Sequence, residues 1–171
     1  ESHKLELPIK YFTGKVAIKS IYANTIQVKD IDTTLTIKNE NVALDTGDIH
    51  VVCGNENAAI QAKAQFNLND FSAGVSYDVS GIEAGLVNEL LTVAGIQDMA
   101  LEKVFIAVKG DASVSENLSV FGLKTQANVK DLKIAHQSEM PAVSLEANLD
   151  VNANIKQELL KANIVSAKGL L

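Results

Sequence analysis

The residues with the greatest chemical reach in this chain are three histidines, one cysteine and a scatter of carboxylates. His3, His50 and His136 lie far apart and show no ligand spacing, whereas a zinc site needs several His or Cys at short intervals. Each therefore reads as a surface or strand-face histidine. Asp30 and Asp32 fall on one strand face and could flank a cation. A calcium loop needs more oxygen ligands and a glycine at its turn, so the pair reads as a solvated face. Cys53 continues the apolar phase of Ile49 and Val51 and reads as a small buried hydrophobe rather than a nucleophile. Asn117-Leu118-Ser119 has the form of a glycosylation sequon, a match common by chance. Nucleophile elbow, phosphate loop, dinucleotide fingerprint and H-E-x-x-H are all missing. The expectation is a protein without catalytic residues, cofactor or metal.

Composition narrows the partners. All fifteen basic residues are Lys, there is no Arg or Trp, and the net charge is −6. Arg is the usual bidentate reader of phosphates and guanine edges, so nucleic acid is an unsuited partner. A lone cysteine forms no intrachain disulfide, which fits a reducing compartment and equally a periplasmic protein that needs no staple. No run of eighteen apolar residues marks a membrane span, and no signal peptide is evident at Glu1. The 171 residues suit one domain, 1–171. The abrupt ends, with Leu170-Leu171 as a dangling apolar tail, suggest a piece of something longer.

The elements that must carry these residues are strands. Val143, Leu145, Ala147, Leu149, Val151, Ala153 and Ile155 alternate with polar or charged residues, which puts an oily face on one side and a wet face on the other. The same two-step rhythm predicts a short extended lead-in at Leu5–Ile9 and strands through Val16 and Ile18, Ile26 and Val28, Leu35 and Ile37, and Val42 and Leu44. It continues through Ile49 to Cys53, Ile60 to Leu68, Phe71 to Val79, Val104 to Val108, and Leu118 to Ile134. Polar turns are expected at Asn39–Asn41, Thr46–Asp48 and Gly54–Asn57, a strand end at Gly110, a bulge or bend at Gly122, and a loop over 136–141. One segment changes period. Ser80-Gly81-Ile82-Glu83 has capping-box spacing, Ile82, Leu86 and Leu90 fall four apart, and Gly95 is the stop. Residues 154–160 drift toward a helical or frayed end.

These residues resemble the C-terminal region of the AsmA family. The Leu-x-Leu-Pro lead-in is Leu5, Leu7 and Pro8, and the Gly-x-hydrophobic-x-hydrophobic strand is Gly14, Val16 and Ile18. The strand ending hydrophobic-x-Asp-hydrophobic is Val28, Asp30 and Ile31, and the two alternating strands hold Leu35, Ile37, Val42 and Leu44. The likeness runs on through the helix beginning VSGIEAGLVNELL to the strand group ending LKTQANVKDLKIAH, over roughly residues 5 to 155. Two departures mark divergence: Cys53-Gly54-Asn55 stands where the family often has Gly-Gly, and Met99-Ala100-Leu101 where it often has Leu-x-Gly-x-Gly.

The resemblance implies a non-enzymatic lipid-conduit module of the bacterial envelope. It implies a periplasmic location, an inner-membrane anchor outside this chain, envelope protein partners, a part in outer-membrane biogenesis, and phospholipid or another acyl-chain lipid as ligand. The expected fold is mainly β: a long antiparallel, strongly curved sheet, groove-like or sandwich-like, with one short helix near residues 82–94. Strands of five to eight residues would make it roughly 17–26 Å wide. Candidate groove residues are Val16, Ile18, Ile26, Val28, Leu35, Ile37, Val42, Leu44, Ile60, Phe66, Leu68, Val75, Tyr77, Val79, Val104, Ile106, Leu145 and Leu149. Ile60, Phe66, Val75, Tyr77, Leu145 and Leu149 are expected in one apolar concavity. Two alternatives stand open: a structural or adhesive β-sandwich with a closed core, and an oily face simply covered by the helix.

Overall fold

The computed structural model describes residues 10–115, 117–136 and 141–170. They form one nine-stranded antiparallel sheet in which every strand pairs with its sequence neighbours. The strands are β1 (Tyr11–Ala23), β2 (Ile26–Lys38), β3 (Asn41–Cys53), β4 (Glu56–Asn67), β5 (Ala73–Glu83), β6 (Leu101–Ser115), β7 (Val120–Ile134), β8 (Val143–Asn154) and β9 (Leu159–Leu170). One helix, α1 (Ala84–Val93), interrupts the meander between β5 and β6. β1 and β9 are its two edges, so the sheet is not closed into a barrel. The mainly β, antiparallel fold expected from alternation is what the chain adopts; a second sheet, as in a sandwich, is not formed by the described residues.

The register sorts the two faces. One row reads Gly14–Leu35–Leu44–Ala64–Val75–Ala112–Leu123–Val151–Ala162 across all nine strands. The next reads Phe12–Ile37–Val42–Phe66–Ala73–Val114–Phe121–Ala153–Leu160. Neither contains a polar side chain. On the other face, Lys15–Thr34–Asp45–Lys63–Ser76–Asp111–Lys124–Asp150–Asn163 crosses the same strands as a row of hydroxyls, amides and charges of both signs.

Long strands keep these faces because left-handed residues reset the alternation. Asp30 (φ 57°), Gly47 (φ 61°), Gly81 (φ 72°) and Asp131 (φ 54°) interrupt β2, β3, β5 and β7. The last three coincide with register shifts, as in β-bulges. Past each one the apolar phase moves by one residue and stays on the same side. Ile26 and Val28 thus share a face with Leu35 and Ile37, and Val42 and Leu44 with Ile49 and Val51.

This device corrects several expectations. The segments around Ile26 and Leu35 are one strand, Thr46–Asp48 is a bulge within β3 rather than a turn, and the bulge assigned to Gly122 lies at Asp131. Gly122 pairs regularly with Ser113 and Asn152. Gly110 sits inside β6 instead of ending it. The loop over Gly54–Asn57 is the two-residue turn Gly54-Asn55, with Glu56 and Asn57 already in β4. Residues 155–158 turn the chain into β9, where a helical or frayed end was expected, and Leu170 is in that strand. With 11 to 15 residues per strand, the sheet is about 36–50 Å wide, twice the expected width. The lead-in at 5–9, His3 and residues 137–140 lie outside the described residues.

The helix starts at Ala84 rather than Ile82, and its cap differs from the expected one. Ser80 and Glu83 belong to β5 or its end, and Glu83 makes no side-chain cap bond. The carboxylate of Glu56, from β4, accepts from the Gly85 and Leu86 N–H groups at 2.8 and 2.7 Å. A carboxylate there meets free N–H donors and the positive end of the helix dipole. Asn88 pins the other flank, its side-chain amide bonding both Leu101 O (2.9 Å) and Leu101 N–H (2.8 Å). Gly95 closes the helix as expected: its N–H donates to Thr92 O (3.0 Å), and the Ile96 N–H donates to Leu91 O (2.9 Å). The helix packs on β3, β5 and β6, and Leu86 seats against Ile26 and Ala58, with Val51, Cys53 and Ile82 around them. This cluster sits at one end of the apolar face.

Candidate functional site

Away from the helix, the apolar face runs across all nine strands. Its rows leave Val75 41% and Leu145 46% exposed, and Phe12, Val16, Ile18, Leu44, Phe121 and Ile164 are exposed too. Only Ile26, Ala58, Leu86, Val104 and Ser119 are buried among the described residues. A contiguous apolar surface left uncovered in this way is the kind that marks an interaction site.

The register brings together most of the residues singled out from the sequence. Val16, Ile18, Ile26, Val28, Leu35, Ile37, Val42, Leu44, Ile60, Phe66, Val75, Tyr77, Val79, Ile106, Leu145 and Leu149 all fall on this face. Within it, Ile26 is buried at the helix end, as is Val104 near the start of β6. Leu68 falls outside, in the turn after β4, where its N–H donates to Glu40 O at 2.8 Å. Phe12, Phe121, Leu123, Val151 and Ile164 extend the face beyond the candidate groove residues; Val151 belongs to the alternating strand read from Val143.

Hydroxyl side chains interrupt the oily surface, Thr33 opposite Val16 among them, and two of them pair across three strands. Tyr77 in β5 reaches across Gly110 in β6, and its hydroxyl lies 2.6 Å from the Thr125 hydroxyl in β7. Thr46, on the same face, is already engaged by the Ala62 backbone, accepting from its N–H at 2.9 Å and donating to its O at 3.2 Å.

The polar face is cupped. Three adjoining troughs of about 570, 840 and 570 Å³ meet at Lys63 and are lined chiefly by polar-face side chains such as Asp78, Lys109, Asp111, Gln126 and Asp150. Cross-strand ion pairs bind this lattice: Lys15–Asp32 at 2.6 Å, Lys63–Asp45 at 3.1 Å and Lys103–Asp131 at 2.8 Å. Such exposed pairs contribute little each. The Gly47 N–H, bonded to Asp45 Oδ1 at 2.9 Å, and then Lys63 hold the Asp45 carboxyl below its ordinary pKa. Asp131 bonded to Lys103 raises that ammonium above its own.

Asp30 and Asp32 line one of these troughs with His50, but among the described residues no three His, Cys, Asp or Glu are grouped to hold a metal. Asp32 is engaged by Lys15 through one oxygen. Cys53 lies at the margin of the helix cluster. No described helix is long and apolar enough to cross a membrane. No family model, no curated protein and no solved structure matches the chain.

Proposed function

We propose that the chain is a non-enzymatic lipid-binding module whose apolar sheet face carries acyl chains. The observation that supports this most is the pair of unbroken apolar rows from β1 to β9. At ~4.8 Å between strands they run about 40 Å, longer than an extended acyl chain, and each CH2 laid on them is worth about 0.8 kcal/mol at full burial. Neighbouring positions along a row are nearly equivalent in chemistry. A chain can therefore shift from strand to strand without giving up its apolar contact, the behaviour a conduit needs. The wet lattice on the opposite face keeps that side in water.

The likeness to AsmA-type sequences extends the proposal to an envelope setting: a periplasmic module, tethered to the inner membrane by a segment outside this chain, that moves phospholipid or helps outer-membrane assembly with protein partners. The test is lipid extraction and native mass spectrometry of the purified chain, together with binding of a hydrophobic dye. Copurifying lipid, with dye binding lost in Val75→Asp and Leu145→Asp variants that stay folded, is the expected outcome. A protein free of lipid and silent to the dye would instead favour a structural β-scaffold.

A further inference from the structure

We propose that the Tyr77–Thr125 hydroxyl pair is the polar anchor of the apolar face and takes the carbonyl oxygen of a neutral acyl ester. This deepens the lipid-binding reading and rests on it.

The argument begins with hydrogen counting. Two hydroxyls carry two donor hydrogens, and their mutual contact at 2.6 Å uses one. No other described group bonds either hydroxyl. One donor is therefore left over on a half-buried pair set in an otherwise oily row, Ala62–Tyr77–Gly110–Thr125–Leu149–Ile164. Thr46 offers no such donor, because the Ala62 backbone already holds it.

Charge then selects the ligand. The flanking rows, through Ala64 and Val75 on one side and Ile60 and Val79 on the other, carry no charged side chain from β4 to β9. An ionised carboxylate resting there would lose water and gain only one neutral donor, which is unfavourable. A neutral carbonyl loses far less on leaving water, and one hydroxyl donor satisfies it. The acyl chain of an ester held at this point lies on the neighbouring rows.

The experiment uses the full chain with three probes of equal chain length at neutral pH: methyl palmitate, hexadecane and sodium palmitate. Each competes against a bound hydrophobic dye. The ester is expected to bind about fivefold tighter than the alkane, the worth of one net hydrogen bond, and tighter than the carboxylate. Combining Tyr77→Phe with Thr125→Val is expected to bring the ester down to the alkane's affinity and leave the alkane unchanged. Equal binding of ester and alkane by the unmodified chain overturns the proposal, and so does an ester preference that survives in the double variant or a carboxylate that binds best. Alkane binding without ester preference leaves the lipid reading standing and removes only the anchor; if none of the three probes binds, both fall. The comparison within the unmodified chain decides the matter even where the double variant misfolds.

Discussion

Tyr77 Oη lies 2.6 Å from Thr125 Oγ1, and the missing side chain of Gly110 is what lets the ring cross β6 to reach it. A Cβ on Gly110 would meet Tyr77 Oη at 2.7 Å and press on the Lys124 carbonyl oxygen. Gly110→Ala is expected to lower stability by about 1–3 kcal/mol, the usual range for overpacking. Removing only the hydroxyl, in Tyr77→Phe, is expected to cost roughly 1 kcal/mol. Urea midpoints of the two variants check the order; a Gly110→Ala protein as stable as the parent would contradict the crossing.

Glu56 holds the helix from a different strand. Glu56→Ala is expected to destabilise by about 0.5–2 kcal/mol, the range for a lost cap, and to reduce helical signal in circular dichroism. Glu56→Gln, which keeps an acceptor but loses the charge, should lie between parent and Ala. Indistinguishable Gln and Ala variants would show that the contact is not a cap.

Asp131 shows whether the phase resets are needed. With φ at 54°, Asp131→Val places a β-branched residue in the left-handed region and is expected to cost roughly 1–3 kcal/mol. Asp131→Gly relieves the backbone but also removes the ion pair to Lys103, a small exposed contribution, and is expected near neutral. Thermal melts that place Val at or above Gly would argue against a strained position.

The pH dependence follows from the direction of the Asp45 shift. Its folded pKa is depressed by the Gly47 N–H and then by Lys63, so the carboxylate form favours folding. That contribution is present above the ordinary carboxylate pKa of about 3.9 and is lost as pH falls through the lower folded value. Asp45→Asn is expected to flatten this part of the acid-unfolding curve. Lys103 works the other way: its raised pKa gives a contribution present below about pH 10.4 and lost as pH rises through the folded value.

Local pattern revealed the architecture where alternation ran unbroken. The strand from Val143 was legible end to end because β8 contains no left-handed residue. β2 and β3 were legible only in halves, since Asp30 and Gly47 flip the phase and a flip in sequence looks like a turn. In β9 the alternation of Leu160, Ala162 and Ile164 with Lys161 and Asn163 is short, and a register shift opposite Asn148 and Leu149 ends it. The helix was visible in its own spacing, but its cap lies nearly thirty residues upstream and depends on how β4 is placed. The oily face could be named residue by residue for the same reason the strands could. The Tyr77–Thr125 contact spans 48 residues and exists only through the register of three strands.

The up-and-down order of the sheet has an energetic corollary. Each strand's sheet partners are its predecessor and its successor, and α1 packs on β3, β5 and β6. Stability is then close to a sum of neighbour terms, as in a linear array, with the helix as a clamp over the middle. Assembly can proceed hairpin by hairpin without closing a large loop, which favours rapid formation for a β protein. Hydrogen exchange should be slowest beneath the clamp and quicken toward β1 and β9, so that the two margins open and reclose while the centre holds.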